Sequence, residues 1–211
     1  MRRTAAAAAE TRARVLDSAL LTFAEHGYDG ATFERIAARI GMTRGAVHHH
    51  FRGKDELLAA VLTEQWRRYG EQVLAPLRAA SDPATALTGF IEEHLRLLRE
   101  DPMFRALATV GTFVAARSSL VEQGVRDHRS ALDGWRAELA PVLAAPGLLR
   151  PGVTVDAALF VLVSVAMGAN DTAAIEPERL PADAAARRAV AWAAVAGLLA
   201  HPDPASRTTL R

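Results

Sequence analysis

The chain has 211 residues, half of them hydrophobic and 23% charged, a balance that fits a folded globular protein and excludes a disordered one. It has no cysteine, which excludes disulfide scaffolds, thiolate zinc sites and cysteine nucleophiles. The net charge of +1 is unevenly placed: residues 1–54 hold nine Arg or Lys against five Asp or Glu, and the remainder is net −3. A basic N-terminal quarter on a mildly acidic body suggests that one end meets a polyanion, although an arginine-rich composition can give such an imbalance by chance.

Taken in chain order, the sequence reads as helix nearly everywhere. Ala5 to Ala9 is a low-complexity run, either a helical extension or a disordered arm. Thr11 to His26 carries Val15, Leu16, Ala19, Leu20 and Phe23 at the spacing of one helical face, and Gly27 follows as a stop. Phe33 to Ile40 is a short helix with Thr32 as its N-cap, Glu34 in its first turn and Gly41 past its end. Thr43 caps a second short helix, Arg44 to His50, closed by Phe51. A long helix opens at Lys54 with acids in its first turn, and Pro76 ends or kinks it near Ala75.

Asp82-Pro83 and Asp101-Pro102 start two further helices, the second running through Val114. Another spans about Val121 to Ala144, with Val125 and Trp135 on its apolar side. Asp156 to Asn170 is apolar nearly all round, so it should be covered on more than one side. The last helix covers about Ala182 to Ala200, and the tail beyond Pro202 is expected to fray. No internal repeat is evident. The longest apolar run, Ala157 to Ala169, falls short of the roughly 18 residues of a membrane helix. The N-terminal MRRTAAAAAETR lacks the leucine-rich core of a secretory signal, so no membrane partner is expected and a cytoplasmic location is the default.

The segment Thr32 to Lys54 carries the chemistry. Two short capped helices around a glycine turn make a helix-turn-helix. Ala37 and Ala38 let the helices cross closely, Gly41 supplies a positive φ, and Ile36, Ile40 and Val47 share a small core. Gly45 and Ala46 allow the second helix to approach a groove floor. Arg44 is of the residue type that reads guanine O6 and N7, and the Thr43 cap leaves N–H groups and a hydroxyl suited to phosphate.

The run TFERIAARIGMTRGAVHHHFRGKDEL, Thr32 to Leu57, resembles the DNA-binding signature of the TetR family of transcriptional regulators, of AcrR-like type. Phe23, His26-Gly27-Tyr28 and Ala31-Thr32 resemble the family's first helix and its exit, so the likeness covers about residues 11 to 62. It implies that Thr32 and Lys54, the only lysine, contact phosphate, and that Arg44, Gly45 and Ala46 face bases. His48 departs from the family's usual tyrosine; His50 is ordinary there and a phosphate contact, and His49 holds a variable position that often faces the groove. Consecutive helical residues point about 100° apart, so the histidine run does not converge on one ion and no metal is expected. Protonation of these histidines against phosphate would steepen the loss of DNA affinity between about pH 6 and 8.

The resemblance also implies an all-α fold of about nine helices. Residues 1–53 would form an arm and a three-helix DNA-binding head, and residues 54–211 a domain for ligand binding and dimerisation. Affinity on a palindromic operator needs a homodimer. The interface candidates are Leu159, Val163 and Met167 on the apolar helix and Val190, Trp192, Val195 and Leu199 on the last. The alternative is that both helices lie inside the monomer core. In the family the middle helices enclose a pocket for a small, often hydrophobic effector, with Trp66, Phe90, His94, Phe104, Phe113 and Trp135 as lining candidates and Thr109, Thr112 and Asn170 as polar partners. His94 reads equally as a hydrogen-bonded core residue. The expected function is repression relieved by that effector, with no cofactor. The rival readings are a helical small-molecule-binding protein without DNA binding and an all-α enzyme. The latter lacks a cysteine, an HExxH motif or a glycine-rich phosphate loop.

Overall fold

Alanine and leucine at helical spacing, punctuated by Thr, Asp, Pro and Gly, give a chain of helices. A computed structural model describes residues 5–114 and 121–200, with side chains described at 6–114 and 132–200. Among the described residues there are nine α-helices: α1 Ala5–Gly30, α2 Phe33–Arg39, α3 Arg44–His50, α4 Lys54–Ala79, α5 Pro83–Glu100, α6 Pro102–Thr109, α7 Val121–Leu143, α8 Val155–Ile175 and α9 Ala184–Ala196. A π-helical turn, Val110–Val114, follows α6, and a 3-10 turn, Pro177–Arg179, precedes α9. The fold is all-α, as the composition and periodicity predict. The expectations for the Val125 side chain and for the tail beyond Pro202 lie outside the described residues.

Several boundaries differ from the sequence reading. The helix expected to stop at Gly27 continues to Gly30, with a kink where Gly27 takes φ 67°. α4 passes through Pro76 to Ala79. Gly89 of α5 leaves room beside the proline ring: a Cβ there would stand 2.9 Å from Pro76 Cβ. The helix expected from Pro102 through Val114 changes to π geometry at Val110. α8 extends to Ile175, and an 18-residue window within it has a mean hydropathy of 1.6. By length and composition α8 could cross a membrane, which the interruption at Ser164 does not prevent, and 33% of that window is buried within the protein.

The chain forms two compact units, one containing residues through Arg68 together with Pro102–Arg129, the other Tyr69–Asp101 with the chain from Ser130 onward. In the first unit, Val15, Leu16, Ala19, Leu20 and Phe23 of α1 are fully buried. They pack toward α2, α6 and the π turn. The Ser18 hydroxyl donates to Ile36 O at 2.9 Å, and Gln65 Nε2 donates to Asp17 at 2.6 Å. These bonds satisfy polar groups that burial would otherwise penalise. Trp66 meets Phe104 edge-on at 6.4 Å and lies over Gly111.

In the second unit α5 packs against both α8 and α9. Asp82, Thr154 and Asp183 cap α5, α8 and α9, each accepting from the backbone three residues on. The core holds Leu87, Phe90, Ile91 and Leu98 of α5 with Leu162, Ala191 and Val195. Arg187, nearly buried, reaches Glu100 at 2.9 Å. Backbone bonds Arg150 N to Leu198 O at 3.0 Å and Ala200 N to Leu148 O at 2.9 Å tie the loop after α7 to the chain after α9.

Candidate nucleic-acid interface

The helix-turn-helix forms from local chemistry. Thr32 Oγ1 accepts from Arg35 N and Thr43 Oγ1 from Ala46 N, both at 3.3 Å, so each threonine relieves an orphan donor at its helix start. Gly41 takes φ 67°, the left-handed conformation that the turn requires and that a side chain disfavours. Ile36, Ala37 and Val47 are buried between the helices, and the partly exposed Ile40 borders them.

Long polar side chains fasten this small assembly to α1. Arg39 meets Glu25 through two bonds of 2.8 Å, and Arg14 Nη2 donates to Ile40 O at 3.0 Å. The Arg39 hydrogen bond holds the Glu25 carboxyl below its usual range. The Arg12 guanidinium lies 5.3 Å from the centre of the Phe51 ring. These contacts join α2, the turn and the end of α3 to α1 at the surface of the head.

The expected DNA residues lie on or beside an exposed surface. Thr32, Thr43, Arg44, Gly45, His48 and His49 are exposed, while Ala46, His50 and Lys54 are half-buried. A cavity of about 280 Å³ brings together Thr32, Glu34, Arg44, His48, Arg52 and Lys54. His49 and His50 are not among its lining; their rings meet edge-on at 5.7 Å. His48 packs edge-on against Phe33 at 4.8 Å. Lys54 Nζ lies 4.3 Å over the Tyr28 ring and donates to Asp29 O at 3.4 Å, and the Tyr28 hydroxyl donates to Asp55. Among the described residues no group of three His, Cys, Asp or Glu side chains could hold a metal.

Two members of this surface escaped the sequence reading. Glu34 was legible only as a first-turn acid, yet its Oε1 stands 3.0 Å from Arg44 Nη1. Arg52 gave no signal beyond its charge. Both are placed by the turn geometry, which a linear spacing does not reveal.

The residues expected to line an effector pocket fall into two groups. Trp66 and Phe104 meet in the first unit. In that unit Thr109 Oγ1 donates to Arg105 O at 3.0 Å, Thr112 Oγ1 is buried with no partner, and Phe113 is 43% exposed. In the second unit His94 Nε2 meets Asn170 Oδ1 at 2.9 Å, and Trp135 stands edge-on to both His94 and Phe90. Burial lowers the His94 pKa to about 4, partly opposed by hydrogen bonds with Asn170 and the Ala166 backbone.

The dimer candidates need correction. Val195 and Leu199 are fully buried within the protomer, and Leu159 and Val163 are also buried, so these four serve its own core. Met167 and Trp192 are half-buried, and Val190 is exposed. The large apolar residues that α8 leaves exposed are Phe160 at 74%, Ile175 at 67% and Val161. On a helix apolar nearly all round, periodicity does not tell which face turns outward.

Comparison with known proteins gives a concordant result. The model of bacterial regulatory proteins of the tetR family matches residues 15–61. The HTH-type transcriptional regulator SrpR of Pseudomonas putida is 52% identical over 64 residues, 30% of each chain. Among the relatives matched at 40 to 52% identity, the chain spans 30 to 55% of their length. The HTH-type transcriptional repressor AcnR of Corynebacterium efficiens is 32% identical over 171 residues, 75% of this chain and 79% of that one. The fold of FadR from Bacillus subtilis, solved with stearoyl-CoA, superposes with a TM-score of 0.72 at 21% identity, covering 88% of this chain and 98% of that one.

Proposed function

The chain belongs to the tetR family of bacterial regulatory proteins, and from that premise we propose that it represses transcription as a homodimer on a palindromic operator and is released by a small hydrophobic effector. It is a regulator and not an enzyme. In this reading residues 1–53 bind DNA, residues 54–211 bind the effector and the partner copy, and the protein works in the cytoplasm.

The observation that carries the proposal is the contrast along α3. Val47 is fully buried and fixes the helix, while Arg44 is 62% exposed and Gly45 beside it is exposed. Such a helix can enter a major groove without unfolding its own support. Arg44 reads a guanine edge, and Thr43, Thr32 and Lys54 take phosphates, which position the head without choosing sequence. His48, His49 and His50 add contacts whose charge depends on pH.

Pairing uses the exposed apolar side of α8 and α9, namely Phe160, Val161, Ile175 and Val190, with Met167 and Trp192 at its margin. Effector candidates are Trp66, Phe104, Thr109 and Phe113 in the first unit and Phe90, His94, Trp135 and Asn170 in the second. The buried His94–Asn170 pair would meet a polar group on an otherwise apolar molecule. FadR of Bacillus subtilis, with the same fold, was solved in complex with stearoyl-CoA, a ligand with a long apolar acyl chain. The effector acts by binding more tightly to a conformation that suits DNA less. The test is selection of duplexes from a random pool by the full-length protein at stated salt. The expected winners are palindromes bound by two protomers. Equal recovery of all sequences would favour a ligand-binding protein without operator recognition.

A further inference from the structure

Arg44 is held in the DNA-free protein by an anion of its own chain. Glu34, in the first turn of α2, places Oε1 3.0 Å from Arg44 Nη1, and both side chains are more than half exposed. Thr32 lines the same cavity, and its hydroxyl oxygen accepts from Arg35 N at 3.3 Å. The carboxyl stays below its usual range, first through a hydrogen bond with its own backbone N–H, then through Arg44, Thr32 and His48. It is therefore ionised at neutral pH. Of the six polar and charged residues named above as lining the cavity, it is the only acid, and it engages Arg44, the donor that the proposed function assigns to a base edge.

We infer that Glu34 is a specificity-determining residue that occupies Arg44 in the free protein and yields it to a matching base edge more readily than to a phosphate. A phosphate and a carboxylate are similar acceptors for a guanidinium. Exchanging one for the other gains little, and the Glu34 charge repels the phosphate that approaches. A guanine edge carries no full charge and accepts two hydrogen bonds from Arg, so it draws Arg44 away without that repulsion. Exposure keeps the exchange easy, because Glu34 rehydrates when Arg44 leaves.

The inference rests on the reading of α3 as the base-reading helix, so its test separates the two. The full-length protein, Glu34→Gln, Arg44→Ala and the double variant are each titrated with two duplexes over a range of salt. One duplex is selected from a random pool by the wild type; the other is a scrambled sequence of equal length and composition. Circular dichroism checks that each variant is folded. In Glu34→Gln the scrambled duplex should bind about fivefold tighter, with a salt slope steeper by about one. The selected duplex should change by less than about twofold, so discrimination falls. Placed on Arg44→Ala, the same substitution should shift both duplexes by one common factor. If Glu34→Gln alone shifts both duplexes equally, the residue acts only as bulk charge and the inference fails; no shift at all also overturns it. If Arg44→Ala binds the selected duplex as the wild type does, the reading of α3 is wrong and the inference falls with it.

Discussion

The helix-turn-helix and the α5–α8–α9 bundle solve opposite problems. The head buries Val15, Leu16, Leu20, Phe23, Ile36 and Val47 and keeps Thr43, Arg44 and His48 outside, where they can meet DNA. In the bundle the polarity is partly reversed: His94, Asn170 and Arg187 are buried, whereas Phe160 and Ile175 are exposed. An exposed Arg on a rigid helix suggests its task by itself. A buried histidine or an exposed phenylalanine acquires meaning only from what covers or contacts it.

The largest expected effect comes from restoring ordinary polarity to the bundle surface. Phe160→Asp combined with Ile175→Asp should convert the proposed dimer to monomer in sedimentation and weaken operator binding about a thousandfold, because two linked heads act together. A dimer that survives both changes would move the interface elsewhere.

Next in size is the buried histidine. Unfolded, an imidazole takes its proton near pH 6.5, whereas burial keeps His94 neutral down to about pH 4. Between those values the unfolded chain binds more protons. Its contribution to stability is therefore complete above pH 6.5 and drains away as pH falls toward 4, by up to about 3 kcal/mol. Urea unfolding across that window should show the loss, and His94→Gln should remove most of it.

The head should answer more weakly. Thr43→Ala deletes the α3 cap and should lower its stability by about 1 kcal/mol, read as reduced protection of the Ala46 amide from hydrogen exchange. Lys54→Ala should weaken binding to every duplex by a similar factor and reduce the salt slope by about one. A sequence-dependent loss would give Lys54 a different role.

The same contrast explains what the sequence could tell. Thr32, Gly41 and Thr43 act through neighbours a few residues away, so turn chemistry made both short helices legible. Glu34 and Arg44 are ten residues apart, and only the crossing of α2 and α3 brings them together. On α8, an almost uniform apolar composition concealed whether Leu159 or Phe160 faces outward; the fold buries the first and leaves the second 74% exposed. That Gly89 of α5 lies against Pro76 was hidden for a related reason, since the two are brought together only by the fold.

The most direct test of the account is the affinity of wild type and Arg44→Ala for a selected palindromic duplex and its scrambled counterpart, measured by fluorescence anisotropy at one salt concentration and pH. The account predicts two wild-type protomers on the palindrome and a loss of about 1–3 kcal/mol of discrimination per base read on replacing Arg44. Equal affinity of the wild type for both duplexes, or undiminished discrimination without Arg44, would contradict it.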